Sequence, residues 1–229
     1  MPTLTAADIK RIKNQIATTL QANASIAPAR TNTLLPMKSL QGKLYEADVL
    51  ATICEKLVTQ EGLRVTLAGG RNLMLKQKGG PIDRNFPYFQ VWKGTNLFAE
   101  LFTDVYFNTL SYQMRGAPRR QTNGDYHELD IALLQPNLTG LPQHTDVILA
   151  VECKNTSLKK SIIRELLGFR RELSFYHQIP QTTNFSVWPT NQTQSYPNSV
   201  HMLYCSDSRI NRYTTNCLQF GIILQFHKM

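Results

Sequence analysis

Three stretches of the chain repeat apolar residues at intervals of three and four, which is the spacing of one helical face. They predict helices over residues 5–22, with Thr5 as N-cap, over residues 40–60, and over residues 158–176, with Ser157 as N-cap. Each apolar face needs a partner surface, so these helices are expected to pack on other elements.

Strand-like patterns fill the middle and the end of the chain. An aromatic-rich segment predicts a strand over residues 103–113. Two short apolar segments predict strands at 127–134 and 146–154, and closing strands are predicted at 200–205 and 217–226, separated by a loop. Helices on both sides of several strands predict an α/β fold with a central mixed sheet.

The remaining segments are rich in polar residues, glycine and proline. They predict a linker or wrapping arm over residues 23–39, an irregular or hairpin-like insertion over 61–96, a basic loop over 115–126, a turn-rich link over 135–145, and an irregular stretch over 181–199. The link over 135–145 can join antiparallel neighbours.

The length of 229 residues fits one domain with an appendage. We expect residues 1–39 to form an N-terminal helix and linker arm, and residues 40–229 to form the main domain. The longest apolar runs are too short to span a membrane, and the first residues lack the apolar centre of a signal peptide. Four cysteines without zinc-ligand spacing predict reduced thiols and a cytoplasmic location.

Two of the predicted strands carry charges that apolar strands seldom hold. Alternation places Glu152 and Lys154 on one face of the second strand, and Glu128, Asp130 and Ala132 on one face of the first. If the strands pair, two carboxylates meet and repel each other unless a cation joins them. A divalent cation beside a lysine meets that need, and it should lower the pKa of the lysine.

The charges on these strands and on the preceding helix also fit simpler roles. An ordinary cross-strand ladder accounts for Glu152 and Lys154 if they face solvent. Glu46 lies on the inward face of the helix over residues 40–60, near its start, where the helix dipole favours an acid. The five histidines fall in no metal-binding or triad pattern and are expected to be structural or exposed.

Basic residues flank the two charged strands in a chain with a formal net charge of +9. A solvated surface explains most such clusters, but here they would draw a polyanion towards the carboxylates. The candidate nucleic-acid-binding residues are Arg115, Arg119 and Arg120 before the strands, and Lys159, Lys160, Arg164 and Arg171 after them.

The order of these elements resembles the PD-(D/E)xK nuclease superfamily, which has a restriction-endonuclease-like fold. The motif residues are Asp130 and the Glu152-Cys153-Lys154 run, and Leu129 stands where a proline is usual. The resemblance implies that Asp130, Glu152 and the backbone carbonyl of Cys153 hold magnesium or manganese. It also implies that Lys154 positions or deprotonates the attacking water.

In this superfamily an acid of the first helix often completes the metal shell. Glu46 fits that role by position, and Glu128 competes with it. The resemblance therefore implies a magnesium-dependent endonuclease that cleaves DNA, with RNA also open as substrate.

The biological setting follows from the resemblance by association only. It implies prokaryotic antiviral defence or mobile-element biology, and a homodimer or a larger complex with a regulatory subunit. One alternative is a catalytically inactive nuclease-fold subunit that binds nucleic acid or a protein. Another is an unrelated basic α/β binding module whose acids are surface charges.

Overall fold

The computed structural model describes residues 4–35, 41–117 and 120–229. Its helices are α1 Ala6–Asn23, α2 Pro28–Leu34, α3 Gln41–Thr59, α4 Leu110–Met114, α5 Lys160–Leu173 and α6 Thr214–Leu218, with short 3-10 turns at His144–Asp146 and Ser208–Tyr213. Its strands are β1 Arg64–Ala68, β2 Tyr88–Lys93, β3 Asn96–Asn108, β4 Tyr126–Leu134, β5 Val147–Lys154, β6 Phe175–Thr182, β7 Gln192–Tyr196, β8 Val200–Cys205 and β9 Ile222–Phe226.

A seven-stranded mixed sheet forms the centre of the molecule, in the order β1-β2-β3-β4-β5-β8-β9. Neighbours are antiparallel from β1 to β5, whereas β5, β8 and β9 run parallel. Strands β6 and β7 form a separate hairpin. The predicted α/β fold, a central mixed sheet flanked by helices, is confirmed. No helix of the described ranges is long and apolar enough to cross a membrane.

Two helices cover opposite faces of the strands that carry the motif. Helix α3 packs Leu50, Ile53 and Leu57 into the main core, which Leu133 of β4 and Val151 of β5 also enter. Helix α5 packs Ile163 and Leu166 against Leu203 and Cys205 of β8 in a second layer. Burying apolar side chains on both faces fixes β5 between the two helices, and so fixes the position of its charged end.

The N-terminal helices belong to the same core as α3. Thr5 caps α1 as predicted, since its hydroxyl accepts a hydrogen bond from the backbone N–H of Asp8 at 3.2 Å. Helix α1 buries Ile12 and Ile16 in the main core. Helix α2 lies within the segment predicted to be a linker, so that prediction is wrong for residues 28–34; Pro28 starts this helix because its fixed φ suits a first turn. The division of the chain after residue 39 stays a prediction.

Strand β3 begins earlier and ends earlier than the aromatic pattern predicts. It covers Asn96–Asn108, and residues 110–114 are helical. Thr109 starts α4, since its hydroxyl accepts a hydrogen bond from the backbone N–H of Tyr112 at 3.2 Å. The cap satisfies a backbone N–H at the start of the helix. The aromatic pattern of the segment does not indicate such a helix start.

Several boundaries in the second half also differ from prediction. Helix α5 starts after Lys159 and not after Ser157, and it stops at Leu173, where the chain turns into β6. The predicted irregular stretch 181–199 contains β7, because the polar residues there pair with β6. The predicted strand 217–226 is a strand only from Ile222, since α6 and a turn with Gly221 at φ +66° precede it.

The insertion over residues 61–96 is partly regular. Strands β1 and β2 pair antiparallel across it, with Val65 opposite Val91. The residues between them run without regular structure and carry Gly69-Gly70 and Gly79-Gly80. The hairpin-like prediction therefore describes its ends, and the irregular prediction describes its middle.

Candidate active site

Strands β4 and β5 stop pairing where the motif acids lie. Ile131 pairs with Val151, and the same register carried one residue further sets Asp130 opposite Glu152. In place of a backbone bond there, Oδ2 of Asp130 accepts the backbone N–H of Cys153 at 2.7 Å. Asp130 therefore lies at the point where the ladder opens, fixed to the backbone of the Glu152-Cys153-Lys154 run.

A third acid, Asp104, lies in the next strand of the sheet. Thr103 pairs with Ile131 and Val105 with Leu129, so the register sets Asp104 opposite Asp130. Asp104 has φ +51°, a left-handed conformation that is uncommon for residues other than glycine. Backbone strain of this kind often occurs at functional sites, and here it falls in a row of acids across three neighbouring strands.

Simple alternation of side chains breaks at these acids. Leu129 packs in the same cluster as Ala132, three residues further on, whereas Ile131 packs on the α3 side. Phe102 and Val105 likewise share a cluster across Asp104. The prediction that Glu128, Asp130 and Ala132 share a face therefore fails beyond Asp130, because both strands turn over at this point.

Glu152 is buried between β5 and α5. It is 6% exposed, and it lines a narrow space together with Lys154, Glu165 and Phe169. Its Oε2 lies 3.2 Å from Nζ of Lys154, but its Oε1 has no hydrogen-bond partner among the described residues. A buried oxygen of a carboxylate without a partner is costly, so this position lacks a positive or donating group.

Burial dominates the electrostatics of the motif acids. It raises the pKa of Glu152 to about 8, with the negative charge of Asp130 adding to the effect and Lys154 opposing it. Burial also raises the pKa of Asp130, against the hydrogen bond from Cys153. Two neighbouring acids that both resist ionisation are a frequent property of catalytic sites.

The lowering of the pKa of Lys154 is expected beside a bound cation and stays a prediction, whereas in the metal-free structure this pKa is raised. Burial alone would lower the pKa, but the negative charges of Glu152 and Asp130 outweigh burial and raise it. The expectation assumed the field of a nearby metal cation, whereas the neighbours in the structure are carboxylates.

Glu46 reaches the site from α3, on the side opposite α5. Its Oε2 lies 2.6 Å from Nζ of Lys43, one helical turn earlier, and Lys43 also pairs with Asp104. Burial raises the pKa of Glu46 to about 7; Lys43 opposes this shift, whereas the negative charge of Asp130 reinforces it. Glu46 is thus electrostatically coupled to Asp130 and is more than a helix-dipole acid.

Glu128 lies beside Asp104 and under the glycine-rich loop. It pairs across the strands with Tyr106, and a Cβ atom on Gly79 would lie 2.4 Å from its Oε2 and 2.1 Å from Cε1 of Tyr106. Its charge helps to raise the pKa of both Asp104 and Asp130. Glu128 therefore remains a competitor of Glu46 for the role of additional acid.

The predicted nucleic-acid-binding residues lie on the surface, apart from Arg119, which lies outside the described residues. Arg115 is exposed but forms an ion pair with Asp125, so part of its charge is already neutralised. The guanidinium of Arg171 lies 5.4 Å from the ring centroid of Phe175. The other four are exposed: Arg120, Lys159, Lys160 and Arg164.

The site residues have the donor chemistry that a hard divalent cation prefers. Asp130, Glu152 and Glu46 supply carboxylate oxygens, which are the ligands that such a cation binds. Oε1 of Glu152 has no hydrogen-bond partner within the described ranges. Across the described ranges, however, no three His, Cys, Asp or Glu side chains converge closely enough to hold a metal ion. Lys43 and Lys154 hold Glu46 and Glu152 instead, so the residues fit a metal in kind, and their side chains must shift to bind it.

A spacious cavity lies away from these acids. It has a volume of about 610 Å³ and lies between α4 and the β6–β7 hairpin. Its lining includes His144, both of whose ring nitrogens are already hydrogen bonded, to Leu173 and Gln113. The chemistry of the molecule is therefore concentrated at the opened strands and not in this cavity.

Sequence reasoning missed Lys43 and Asp104. The sequence contains one indication that Asp104 is a site residue, because it is the single charged residue in the largely apolar run from Leu101 to Phe107. Lys43 left a weaker one, three residues before Glu46 on the same helical face.

Comparisons with known proteins give little beyond the architecture. No protein-family model matches the sequence, and no curated protein matches it. Among solved structures, the chain is similar to NucC of P. aeruginosa ATCC27853 in its cAAA-bound form, with a TM-score of 0.33 and 8% identity. The match covers 97% of this chain and 75% of NucC. Function therefore has to follow from the site residues and not from this likeness.

Proposed function

We propose that this chain is a metal-dependent nuclease that hydrolyses phosphodiester bonds of DNA. The observation that carries the proposal is the buried Glu152 beside Asp130 and Lys154, whose Oε1 has no hydrogen-bond partner in the part of the chain that the structure describes. A structural ion pair would satisfy both oxygens, whereas this arrangement leaves one free at the point where the strands separate.

Asp130, Glu152 and the backbone carbonyl of Cys153 would hold the ion, magnesium or manganese, with Glu46 as a further ligand. Such an ion supplies Lewis-acid stabilisation of the phosphate and lowers the pKa of a water. Lys154 lies beside Glu152, where its ammonium can orient a water, and where its neutral amine could accept the proton of that water once a bound cation lowered its pKa. The exposed Lys159, Lys160 and Arg164, like Arg120 and Arg171, would bind the DNA backbone.

A second candidate function is supported by a specific observation. No three described metal-binding side chains converge, and two lysines neutralise the acids, which suits a nuclease fold that binds nucleic acid without cutting it. A cytoplasmic homodimer, or a complex with a regulatory subunit in antiviral defence, is compatible with either function and is proposed with them.

The test is incubation of the purified protein with plasmid DNA and with DNA and RNA oligonucleotides, in magnesium, manganese or chelator. Wild type should cut DNA only with metal, and Glu152→Gln and Lys154→Met should not cut. Glu165→Gln is the matched control, because Glu165 lines the same space but is exposed. Cutting by Lys154→Met at the wild-type rate refutes the assignment of the active site to these residues, and salt-sensitive binding without cutting supports the second candidate.

A further inference from the structure

Lys43 places a positive charge inside the cluster of acids. Its Nζ lies 2.6 Å from Oε2 of Glu46 and also contacts Oδ1 of Asp104. One ammonium is thus shared between a carboxylate of α3 and a carboxylate of β3, next to Asp130. A cation shared in this way offsets repulsion between acids that the fold forces together.

The two partners of Lys43 are not equivalent. The side chain of Asp104 is 1% exposed and belongs to a strand residue with φ +51°. Moving this carboxylate into water or separating it from Lys43 would therefore cost much free energy. The side chain of Glu46 is 16% exposed and stands on the first turns of a helix. Asp104 therefore anchors Lys43, whereas Glu46 can exchange one cation for another.

We propose that Lys43 is a built-in counter-ion of the site: anchored by Asp104, it neutralises Glu46 in the metal-free protein and releases Glu46 when a divalent cation binds. The inference rests on the proposed function and adds Lys43 and Asp104 as positioning residues. It also accounts for Glu46 and Glu152 staying apart in the described structure, because each has a lysine ammonium and not a metal ion as its partner.

The first test is Lys43→Met, which keeps the length of the side chain and removes its charge. Calorimetric titration with Mn²⁺ and Mg²⁺ should show affinity raised by on the order of tenfold, since a nearby like charge is removed. The thermal midpoint in chelator should fall, because Asp104 loses its partner. Lys56→Met is the control, with the same charge loss on the same helix about 20 Å further along; it should change neither value.

The second test is Asp104→Asn, which keeps a residue type that tolerates the left-handed conformation. Without its anchor Lys43 remains on Glu46, so metal affinity should fall, opposite in direction to Lys43→Met. If Lys43→Met does not fold, this variant decides, and equal or tighter metal binding by Asp104→Asn overturns the inference.

The outcomes separate this inference from the proposed function. Wild type that binds neither Mn²⁺ nor Mg²⁺ contradicts the metal site and the counter-ion together. Wild type that binds metal, with Lys43→Met binding it equally or more weakly, refutes the counter-ion alone and leaves the nuclease in place.

Discussion

Glu152→Gln is expected to stabilise the metal-free protein while it abolishes the proposed cleavage. The wild-type carboxyl group is 6% exposed, one of its oxygens lacks a partner, and burial raises its pKa to about 8. The fold thus holds an acid where an acid is unfavourable, and glutamine has the same shape without the charge.

The size of the effect follows from proton linkage. In the unfolded chain this carboxyl group has a pKa of about 4.5, so at pH 7 the unfolded chain has released a proton that the folded protein keeps. At about 1.4 kcal/mol per pH unit, the folded state loses about 3 kcal/mol between pH 4.5 and pH 7. Burying the polar amide of the glutamine cancels part of this free energy. We therefore expect Glu152→Gln to raise the free energy of unfolding by about 1–2 kcal/mol, or the melting temperature by roughly 2–8 °C.

The stability difference between Glu152→Gln and wild type depends on pH in a defined way. The folded pKa is raised, so the folded protein binds more protons than the unfolded chain between pH 4.5 and pH 8. Wild type therefore loses stability as pH rises through this window, whereas Glu152→Gln does not. The advantage of the variant should be small at pH 5 and largest near pH 8.

Urea unfolding in chelator at pH 5, 6, 7 and 8 measures this difference. Glu55→Gln is the control, because Glu55 is exposed on α3 and is not among the charges that shift the pKa of Glu152, so it should give no pH-dependent gain. A gain equal at pH 5 and pH 8, or a loss of stability at pH 8, would refute the reasoning about burial.

Three further changes test other parts of the fold. Glu100→Gln should destabilise by about 2–3 kcal/mol in urea, because buried Glu100 accepts two hydrogen bonds from Arg84, at 2.7 and 2.6 Å; an unchanged midpoint would contradict this. His201 is fully buried and its pKa is lowered to about 3, so wild type loses stability as pH falls below about 6.5. His201→Leu should reduce this dependence of stability on pH by up to about 1.4 kcal/mol per pH unit. An unchanged pH dependence in acid would contradict this role of His201. Ile16→Ala should cost about 2–5 kcal/mol, and a cost near zero would show that α1 does not share the core.

The strands that carry the motif could be predicted from the sequence because their patterns are local. An apolar run that follows charges predicted β4, and one that ends in charges predicted β5, each within a residue of the observed bounds; the spacing of apolar residues predicted α3 and α5. The register that sets Asp130 opposite Glu152 could be only assumed, since pairing depends on the turn and on the other strands.

The parts that were missed depend on contacts distant in sequence or on single capping groups. Lys43 and Asp104 are 61 positions apart, so no local pattern connects them. Helices α2 and α4 are short and are set by Pro28 and Thr109, and β7 is polar and exists through pairing with β6. The turning over of β3 and β4 at their acids requires a backbone angle at Asp104 that composition does not reveal.

The close approach of Gly79 to Tyr106 and Glu128 limits how this chain can vary over evolution. A side chain at position 79 would collide with both unless their flexible ends move, so the loop keeps this path most readily with glycine there or with smaller partners beneath it. When orthologues are aligned, an exchange at position 79 should therefore be accompanied by a reduction in size at position 106 or 128. Such paired changes would mark lineages in which the loop keeps its path over the sheet without a glycine at position 79.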